Sequence, residues 1–565
     1  MKWHLRISLS LITALVLAAC STTPTVDEAP AEEPAQAVHL RILAFNDFHG
    51  ALEGPTGTVR IDGEDVQAGG AAYFAAHLEA ERGEADFTTT VAAGDLIGAT
   101  PLVSAIFHDE PTIEIMGEAG LDIASVGNHE FDAGVDELLR IVHGGCHPEQ
   151  GCRDGYEYGG TPFQYLAANV RHRDSGETIL PPYVIREYGG VKIAYVGMTL
   201  ENTPQVVVPS AIESVTFHNE VETVEALMPE LREQGVDSVI VIVHEGARPT
   251  EDVHDVGDCP GVQGSAVEMA PQMPEEVSVI VSGHSHLAYI CNIEGRLVTQ
   301  ASSSGRLLTV IDLHINPETG KIVDKSARQR AATHDIEPHP GVTALIKKYA
   351  ALAEPLANRA IGRITGDLPR GERVAAGESP IGRLIADAQL AATADESGAQ
   401  IAFMNPGGIR APLHYEDEAL DEDGIVTYAH LHTVQPFGNV LITMTLTGAQ
   451  IHQLLEQQWQ DPNRPHVMAV SQGFTYEWDP NAPVGERVDP DSIRLRGETI
   501  DPEADYRVTV NNFMADGGDG FTVLTEGTDR VGGAVDVDAL ADFVERHSPI
   551  EPPRDRRARM LGEGE

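Results

Sequence analysis

Six short segments rich in Asp, His and Asn follow one another along the chain, five of them in roughly its first half. They read Asp47-Phe48-His49, Gly94-Asp95, Gly127-Asn128-His129-Glu130-Phe131-Asp132, Val243-His244-Glu245, Gly283-His284-Ser285-His286 and Asn405-Pro406-Gly407-Gly408-Ile409-Arg410. One Asp-x-His alone is common by chance, but the ordered series is not. Carboxylate, imidazole and amide groups are the donors that a pair of divalent ions uses in an open site. The series predicts a metal-dependent phosphoesterase whose sixth segment holds the phosphate ester.

The donors of the first five segments suit two ions that share one carboxylate. Asp47 and His49 lie two apart on an extended segment, so both can point to one side. Gly94 allows a tight turn that brings Asp95 inward as the bridging carboxylate. The remaining candidate ligands are Asn128, His244, His284 and His286. Any one of them alone could be a hydrogen-bonded core residue, but seven at successive strand ends favour a metal centre.

His129 and Asp132 form a candidate catalytic pair beside these ligands. Two divalent ions lower the pKa of bound water, which then attacks phosphorus in line. His129 is not needed as a ligand, so it can stabilise the developing charge and protonate the leaving alkoxide. Asp132, three residues later, can orient the imidazole and favour its protonated form.

Short apolar runs must place these side chains. Each predicted strand is bounded by turn residues or a helix-like stretch, and several are followed directly by a chemical motif. The predicted strands are 40–45, 88–93, 123–126, 191–196, 238–243 and 277–281. Since α/β folds bind ligands at the carboxyl ends of their strands, the motifs and the strands agree.

A chain of 565 residues is too long for one core, so the sequence predicts two large domains and short appendages. The predicted boundaries are a signal peptide at 1–20, a Pro-, Ala- and Glu-rich tether at 21–37, a first domain at 38–335, a connecting helix at 336–360, a second α/β domain at 361–550 and a loose charged tail at 551–565. Pro355 is expected to interrupt the connecting helix.

The five metal segments resemble the calcineurin-like metallophosphoesterase superfamily, and Asn46 to Gly50 with Gly127 to Asp132 resemble its 5′-nucleotidase branch. The resemblance implies a β-sandwich flanked by helices in the first domain, followed by an α/β substrate-binding domain. It assigns the first ion to Asp47, His49, Asp95 and His286, and the second ion to Asp95, Asn128, His244 and His284. It also supports His129 and Asp132 as the catalytic pair.

The second domain carries the predicted specificity. Its motifs Asn405 to Arg410, Pro436-Phe437-Gly438 and Asn512 to Phe521 match the C-terminal domain of 5′-nucleotidases. From composition alone, the two Phe residues would be ordinary core aromatics. The resemblance implies instead that they stack on the base, that an Asp binds the ribose, and that Asn and Arg meet the base or phosphate. The residues concerned are Phe437, Phe513, Asp519, Asn405 and Arg410, with Arg373 as a further Arg whose alignment competes with Arg370.

The N-terminus has the pattern of an exported lipoprotein. Lys2 and Arg6 precede a short apolar stretch, which ends in Leu17-Ala18-Ala19-Cys20 and is too short for a transmembrane helix. The resemblance to a lipoprotein cleavage box makes Cys20 the lipidated residue, with an ordinary secretory signal as the alternative. The predicted location is the cell envelope, either the outer membrane facing the periplasm or the cell surface.

Export leaves four cysteines in an oxidising compartment. Cys146 and Cys152 are near enough in sequence to close a small loop, and Cys259 and Cys291 bracket the His284 segment. Zinc binding is the competing interpretation, but no Cys-x-x-Cys spacing supports it. Two disulfides, Cys146–Cys152 and Cys259–Cys291, are predicted.

The net charge of −49, from 38 basic and 87 acidic side chains, argues against nucleic-acid polymers and anionic membrane surfaces as partners. Contact with a membrane is expected only through the lipid anchor. A surface rich in acids and poor in Lys fits a salty environment, where self-repulsion is screened. The sequence is compatible with either a monomer or a dimer.

Together these features predict an exported 5′-nucleotidase that scavenges nucleotides, converting nucleoside 5′-monophosphates to nucleoside and phosphate with two divalent ions such as Zn, Mn, Mg or Co. The alternatives on the same scaffold are a 2′,3′-cyclic phosphodiesterase/3′-nucleotidase and a UDP-sugar hydrolase. A thiosulfate-ester hydrolase would leave the two Phe residues and Asp519 without a purpose. A catalytically silent, nucleotide-binding lipoprotein would not need His129 and Asp132.

Overall fold

A computed structural model describes residues 37–61, 63–83, 85–207, 209–248, 257, 259, 261–371, 379–416, 422–460 and 465–561. The predicted signal peptide, nearly all of the tether, Cys20 and Arg373 lie outside the described residues. Among those described, no helix combines the length and apolarity needed to cross a bilayer.

The first domain contains two six-stranded sheets, in the orders β16-β15-β1-β4-β5-β6 and β13-β14-β12-β11-β9-β8. Its strands are β1 (Val38–Phe45), β2 (Gly57–Ile61), β3 (Glu64–Ala68), β4 (Phe87–Ala93), β5 (Ile123–Ser125), β6 (Gln164–Leu166), β7 (Val170–His172), β8 (Tyr183–Tyr188), β9 (Val191–Thr199), β10 (Val215–Phe217), β11 (Ser238–His244), β12 (Val277–Val281), β13 (Ala288–Ile293), β14 (Arg296–Ala301), β15 (Leu307–Ile315) and β16 (Ile322–Ala331). Its helices are α1 (Ala71–Arg82), α2 (Leu102–Ala105), α3 (Glu110–Glu118), α4 (Val135–His143), α5 (Glu220–Glu233) and α6 (Ser265–Glu268), followed by the connecting helix α7 (Pro340–Ala357). All six predicted strands are confirmed.

The central strands are apolar almost throughout because both of their faces are covered. In β1, Ile42 points into the core between the two sheets, whereas Leu43 points into the core beneath the helices. In β11, Ile242 and Val243 divide in the same way between the inner core and the opposite outer core. The result is a β-sandwich with helices on its outer faces, as the sequence predicts.

Helix α7 packs firmly on the first domain. Tyr349 is buried, and its hydroxyl donates to Glu114 Oε2 at 2.8 Å. The predicted interruption at Pro355 is wrong, because the helix continues to Ala357. Pro355 removes one N–H donor, but it lies only two residues before the helix ends, so the loss is confined to the last turn. The contacts of Tyr349 and its neighbours with the first domain hold the rest of the helix in place.

The second domain is built on a five-stranded sheet, in the order β21-β18-β25-β20-β26, and a four-stranded sheet, in the order β24-β23-β22-β27. Its strands are β17 (Ala360–Arg363), β18 (Ile401–Met404), β19 (Ile425–Thr427), β20 (Val440–Thr447), β21 (Ala469–Val470), β22 (Phe474–Trp478), β23 (Arg494–Leu495), β24 (Glu498–Thr499), β25 (Asp505–Asn511), β26 (Thr528–Val535) and β27 (Ala558–Met560). Its helices are α8 (Pro380–Ser397), α9 (Tyr428–Val434), α10 (Gly448–Glu456), α11 (Asn512–Ala515) and α12 (Asp536–His547). Separate hydrophobic cores, one with α10 and one with α8 and α12, give the predicted α/β domain.

The C-terminal segment is ordered, so the prediction of a loose tail is wrong for its residues 557–560. Strand β27 pairs in parallel with β22. Arg557 is only 3% exposed, and its guanidinium donates to both carboxylate oxygens of Asp387 at 2.6 and 2.9 Å. This ion pair allows a charged side chain to enter the core.

Candidate metal centre and substrate cleft

The candidate ligands lie together at the carboxyl ends of the central strands. Asp47, Asp95 and Asn128 follow β1, β4 and β5, whereas His244 ends β11 and the remaining two histidines follow β12. Backbone hydrogen bonds join the loops, since Asp47 N donates to Gly94 O and His49 N to Asp95 O, each at 3.0 Å. The two sheets therefore supply one site from both sides.

Most of the ligands have a left-handed backbone, which is uncommon for residues other than glycine and concentrates at functional sites. The φ angles are 49° for Asp47, 48° for His49, 52° for Asp95, 70° for His284 and 59° for His286. Neighbouring glycines provide the space these loops need. A Cβ on Gly127 would lie 2.1 Å from Asp95 Oδ1, so only glycine fits there.

The first donor cluster contains Asp47, His49 and His286, whose ligand atoms lie within 4.8 Å of one another. His286 Nε2 is 3.1 Å from Asp47 Oδ1 and 3.2 Å from His49 Nε2. These are short separations for atoms that each offer a lone pair, as expected for donors directed at one cation.

The second donor cluster contains Asp95, His244 and His284. His244 Nε2 is 3.0 Å from Asp95 Oδ2, and His284 Nδ1 is 3.1 Å from Asn128 Oδ1. The same Asp95 Oδ2 is 3.7 Å from His49 Nε2 of the first cluster. Asp95 thus lies between the two clusters, where a shared carboxylate belongs.

The ring orientations fit divalent metal ions. His244 Nδ1 bonds to Ala93 O at 2.8 Å, and its buried Nε2 faces Asp95 Oδ2 at 3.0 Å. His49 Nδ1 bonds to Gly98 O at 2.9 Å. These bonds put the ring proton on Nδ1 and leave the Nε2 lone pair directed into the site.

Protonation states favour cation binding as well. Burial lowers the pKa of His49 to about 3 and, with the charge of His244, lowers that of His284 to about 4. Burial would raise the pKa of Asp95, but His244 and His129 hold it well below its usual range. At neutral pH these groups are two neutral imidazoles and a carboxylate, the forms that bind metals. Burial would lower the pKa of His244, but Asp95 and Asp47 raise it to about 10, so a metal ion would have to displace its proton.

His129 and Asp132 form the predicted pair, with His129 Nδ1 2.7 Å from Asp132 Oδ2. The His129 backbone N–H donates to Asp95 Oδ1 at 2.9 Å. Burial alone would lower the pKa of His129, but the charges of Asp132 and Asp95 and the bond to Asp132 raise it to about 9. The imidazole is therefore able to hold a proton beside the donor clusters.

Glu130 is a functional residue that the sequence analysis does not identify. Its Oε2 accepts from the backbone N–H groups of Asp95 at 2.9 Å and Gly127 at 2.6 Å. Its Oε1 accepts from Leu96 N at 2.8 Å and from the Tyr165 hydroxyl at 3.2 Å. One buried carboxylate thereby fixes two of the ligand loops.

The second domain presents two of its predicted substrate residues to the catalytic pair. The Phe437 ring stacks on the His129 ring with centroids 5.7 Å apart and an interplanar angle of 12°. Arg410 Cζ lies 5.6 Å from the Phe437 centroid. The structure therefore brings an aromatic ring and a guanidinium to the proton-holding histidine.

The other predicted substrate residues form a separate group. Asn405 Nδ2 donates to Asp519 Oδ2 at 2.7 Å, and Asn511 Nδ2 donates to Asn405 Oδ1 at 3.0 Å. The Phe513 ring covers Gly518, where an added Cβ would lie 2.5 Å from it. Enclosure of a base by Phe437 and Phe513 stays a prediction.

Both predicted disulfides, Cys146–Cys152 and Cys259–Cys291, are present. Cys291 lies on β13, which begins two residues after His286. The second bridge therefore braces the strand behind the last metal-ligand loop. Disulfides are typical of exported proteins.

Comparisons with known proteins match two segments of the chain to two protein families. Residues 40–288 match the family described as calcineurin-like phosphoesterase. Residues 360–526 match the family described as 5′-nucleotidase, C-terminal domain.

Similar proteins include bacterial nucleotidases and a nuclease. The chain is 34% identical over 534 residues to endonuclease YhcR of Bacillus subtilis, covering 93% of this chain but only 41% of that protein. It is 26% identical over 594 residues to a 5′-nucleotidase of Vibrio vulnificus, covering 98% of each. The crystal structure of a 5′-nucleotidase precursor from Thermus thermophilus superposes with a TM-score of 0.70 at 26% identity, covering 93% of this chain and all of that one.

Proposed function

Because the chain belongs to the family of calcineurin-like phosphoesterases with a 5′-nucleotidase C-terminal domain, we propose that it is an exported 5′-nucleotidase that releases phosphate from nucleoside 5′-monophosphates. The observation that carries the proposal is the position of Asp95 between two donor clusters, with His129 beside it and Phe437 from the second domain stacked on His129. This arrangement combines a hydrolytic centre with a surface that suits a nucleobase.

In this proposal seven side chains share two ions. The first would be held by Asp47, His49, Asp95 and His286, and the second by Asp95, Asn128, His244 and His284. Bound there, the ions would supply an activated water and neutralise charge on the phosphate.

The chain's own residues supply the acid and the substrate contacts. His129 holds the proton that the leaving 5′-oxygen needs, and Asp132 keeps the imidazole oriented. Arg410 places a cation near this point, where it can pair with phosphate oxygens. Asn405 and Asp519, already hydrogen-bonded to each other, offer polar groups for the ribose or base.

Phosphate release from AMP, UMP, 2′,3′-cyclic AMP and UDP-glucose tests the proposal. We expect AMP and UMP to be cleaved, a chelator to abolish release, and Mn²⁺ or Zn²⁺ to restore it. No release from any of the four with either ion present would overturn the proposal and favour a nucleotide-binding protein without activity.

A phosphodiesterase is the second candidate, and the similarity to an endonuclease favours it. Cleavage of 2′,3′-cyclic AMP or of a dinucleotide in preference to AMP would establish it. Long nucleic acids are poorer candidate substrates than small nucleotides, because the net charge of −49 repels them.

Export and lipid anchoring are the remaining part of the proposal. The two disulfides support an oxidising compartment, and Cys20 is the proposed lipid attachment site. The wild type should partition into detergent and incorporate labelled fatty acid, whereas Cys20→Ser should do neither. Equal labelling of both would exclude Cys20.

A further inference from the structure

A second group of metal-binding side chains lies outside the catalytic centre. His108, Glu137 and His147 each offer a donor atom, and these atoms lie within 4.8 Å of one another. His108 occupies the turn between α2 and α3, Glu137 lies on α4, and His147 lies in the loop closed by the Cys146–Cys152 disulfide. We propose that these three residues bind a Zn²⁺ ion that joins the three segments.

One histidine nitrogen of the cluster lacks a partner. The two histidine rings stack with centroids 4.1 Å apart and an interplanar angle of 12°, so one ring must turn before both can face one ion. His108 Nε2 is enclosed by protein and has no hydrogen-bond partner. An enclosed polar atom of this kind needs a partner, and a metal ion supplies one.

The backbone also holds the donors in place. His108 has a left-handed conformation with a φ of 54°. The disulfide loop is closed further by Gly151 N, which donates to His147 O at 2.9 Å. The His147 Nδ1 accepts from Glu149 N and Gln150 N at 3.3 and 3.2 Å. Binding through Nε2 would move the ring proton to Nδ1 and exchange these two long contacts for water.

The donor types select the class of ion. Glu137 pairs with Arg140 through two bonds of 2.8 and 2.7 Å, which neutralise much of its charge. Two imidazoles with one shielded carboxylate suit Zn²⁺ better than Mg²⁺ or Ca²⁺, which prefer several oxygen ligands.

Binding requires one imidazole ring to turn and the donors to move closer together. Ligands about 2.1 Å from a tetrahedral Zn²⁺ lie roughly 3.4 Å from one another, so the donors would approach by at most about 1.4 Å. Side-chain rotation at His147 and Glu137 can provide this. Water would complete the coordination.

The site would be connected to the catalytic centre through a short path. Asp109, next to His108, accepts from Gly98 N at 3.3 Å, and Gly98 O bonds to His49 Nδ1 at 2.9 Å. On the other side, α4 follows the turn that carries His129. The ion would therefore brace both segments that flank the catalytic histidine.

Metal analysis of the full chain tests the site. Protein freed of metal and then dialysed against Zn²⁺ should contain about one equivalent more in the wild type than in His108→Gln or His147→Gln. His143→Gln is the matched control. His143 is exposed at the end of α4, the helix that carries Glu137, and it lies outside the cluster. Equal zinc content in the wild type and both cluster variants would overturn the proposal.

Crystallography at the zinc absorption edge provides a second readout that does not depend on activity. An anomalous peak between His108 and His147 is expected in the wild type and also in His244→Ala, where the catalytic centre is damaged. Peaks confined to the catalytic centre would overturn the proposal. His147→Gln alters a surface loop, so it keeps the test valid if His108→Gln does not fold.

Discussion

At the scale of single residues, the centre depends on hydrogen bonds from side chains to the backbone. Glu130 does not point at the donors but holds the N–H groups of Asp95, Leu96 and Gly127. A carboxylate suits this position because it offers only acceptors, and the groups that face it are donors.

Replacing Glu130 with Gln should weaken the centre. One of the two oxygens becomes an NH₂ group that faces backbone donors, which should cost about 1–3 kcal/mol of folding free energy. Thermal unfolding and metal content at limiting Zn²⁺ measure the effect. Tyr165→Phe is the control, because it removes only one of the four contacts to the carboxylate. An unchanged melting temperature and zinc content in Glu130→Gln would contradict this role.

Replacing His129 with Ala should remove the acid while leaving the ligands intact. Turnover of AMP should fall by about 10²–10⁴, the range for a lost general acid. Metal content, measured on the same preparations, should stay at the wild-type value. Loss of metal in proportion to activity would mean that His129 is a ligand instead.

Residue types and order were enough to predict the donors, because metal ligands come from few amino acids. Glu130 could not be recognised, since its partners are backbone groups brought in by the fold. The stacking of Phe437 on His129 could not be predicted from the sequence either, because it joins residues of two domains. Apolar runs predicted all six central strands, as burial on both faces leaves a strong signal.

At the scale of secondary structure, the last strand closes the second domain. Strand β27 lies beside β22, and Arg557 next to it bonds to Asp387 of α8 and to Val470 O. The charged composition of this segment predicts a loose tail, because composition alone does not show that one Arg has a buried partner.

Arg557→Ala should destabilise the second domain by about 1–3 kcal/mol, less than the loss of a fully buried ion pair because Asp387 remains partly exposed. Chemical denaturation followed by tryptophan fluorescence can measure this, since Trp478 lies on the paired strand. Arg559→Ala is the control, because Arg559 is exposed on the same strand. Equal stability of both variants would contradict the role of the ion pair.

Asp536, the first residue of helix α12, should make the stability of the protein depend on pH. Burial raises the pKa of Asp536 from 3.8 to about 7. Because the folded pKa exceeds the unfolded value, the stabilisation is complete below about pH 4 and is lost as the pH rises through 7. Asp536→Asn should therefore show a smaller fall in unfolding free energy than the wild type between pH 5 and 8, by at most a few kcal/mol. Parallel curves for the two proteins would exclude Asp536 as the source.

At the scale of the whole molecule, the dominant feature is the large negative net charge. With a net charge of −49, the chain repels itself and any anionic substrate. The predicted metal ions would provide local attraction, but they cannot cancel the field over the remaining surface.

Added salt should therefore help this protein. As NaCl rises from about 0.1 to 1 M, the screening length falls from about 10 to 3 Å, so the melting temperature should rise and the KM for AMP should fall or stay level. Calorimetry and phosphate release over the salt series measure both. Loss of activity in molar salt would contradict adaptation to a salty environment.

The left-handed backbone of five candidate metal ligands limits how the centre could be transplanted to another protein. Each such residue carries a conformational cost of about 1–2 kcal/mol, which the surrounding strands and tightly fitted glycines must offset. Short peptides or smaller scaffolds bearing the same Asp-x-His and His-x-His sequences would relax to ordinary dihedral angles and spread the donors apart. The motifs are therefore enough to recognise the centre in a sequence, but they do not by themselves produce its geometry. A designer who wants this chemistry elsewhere must carry over the double sheet as well.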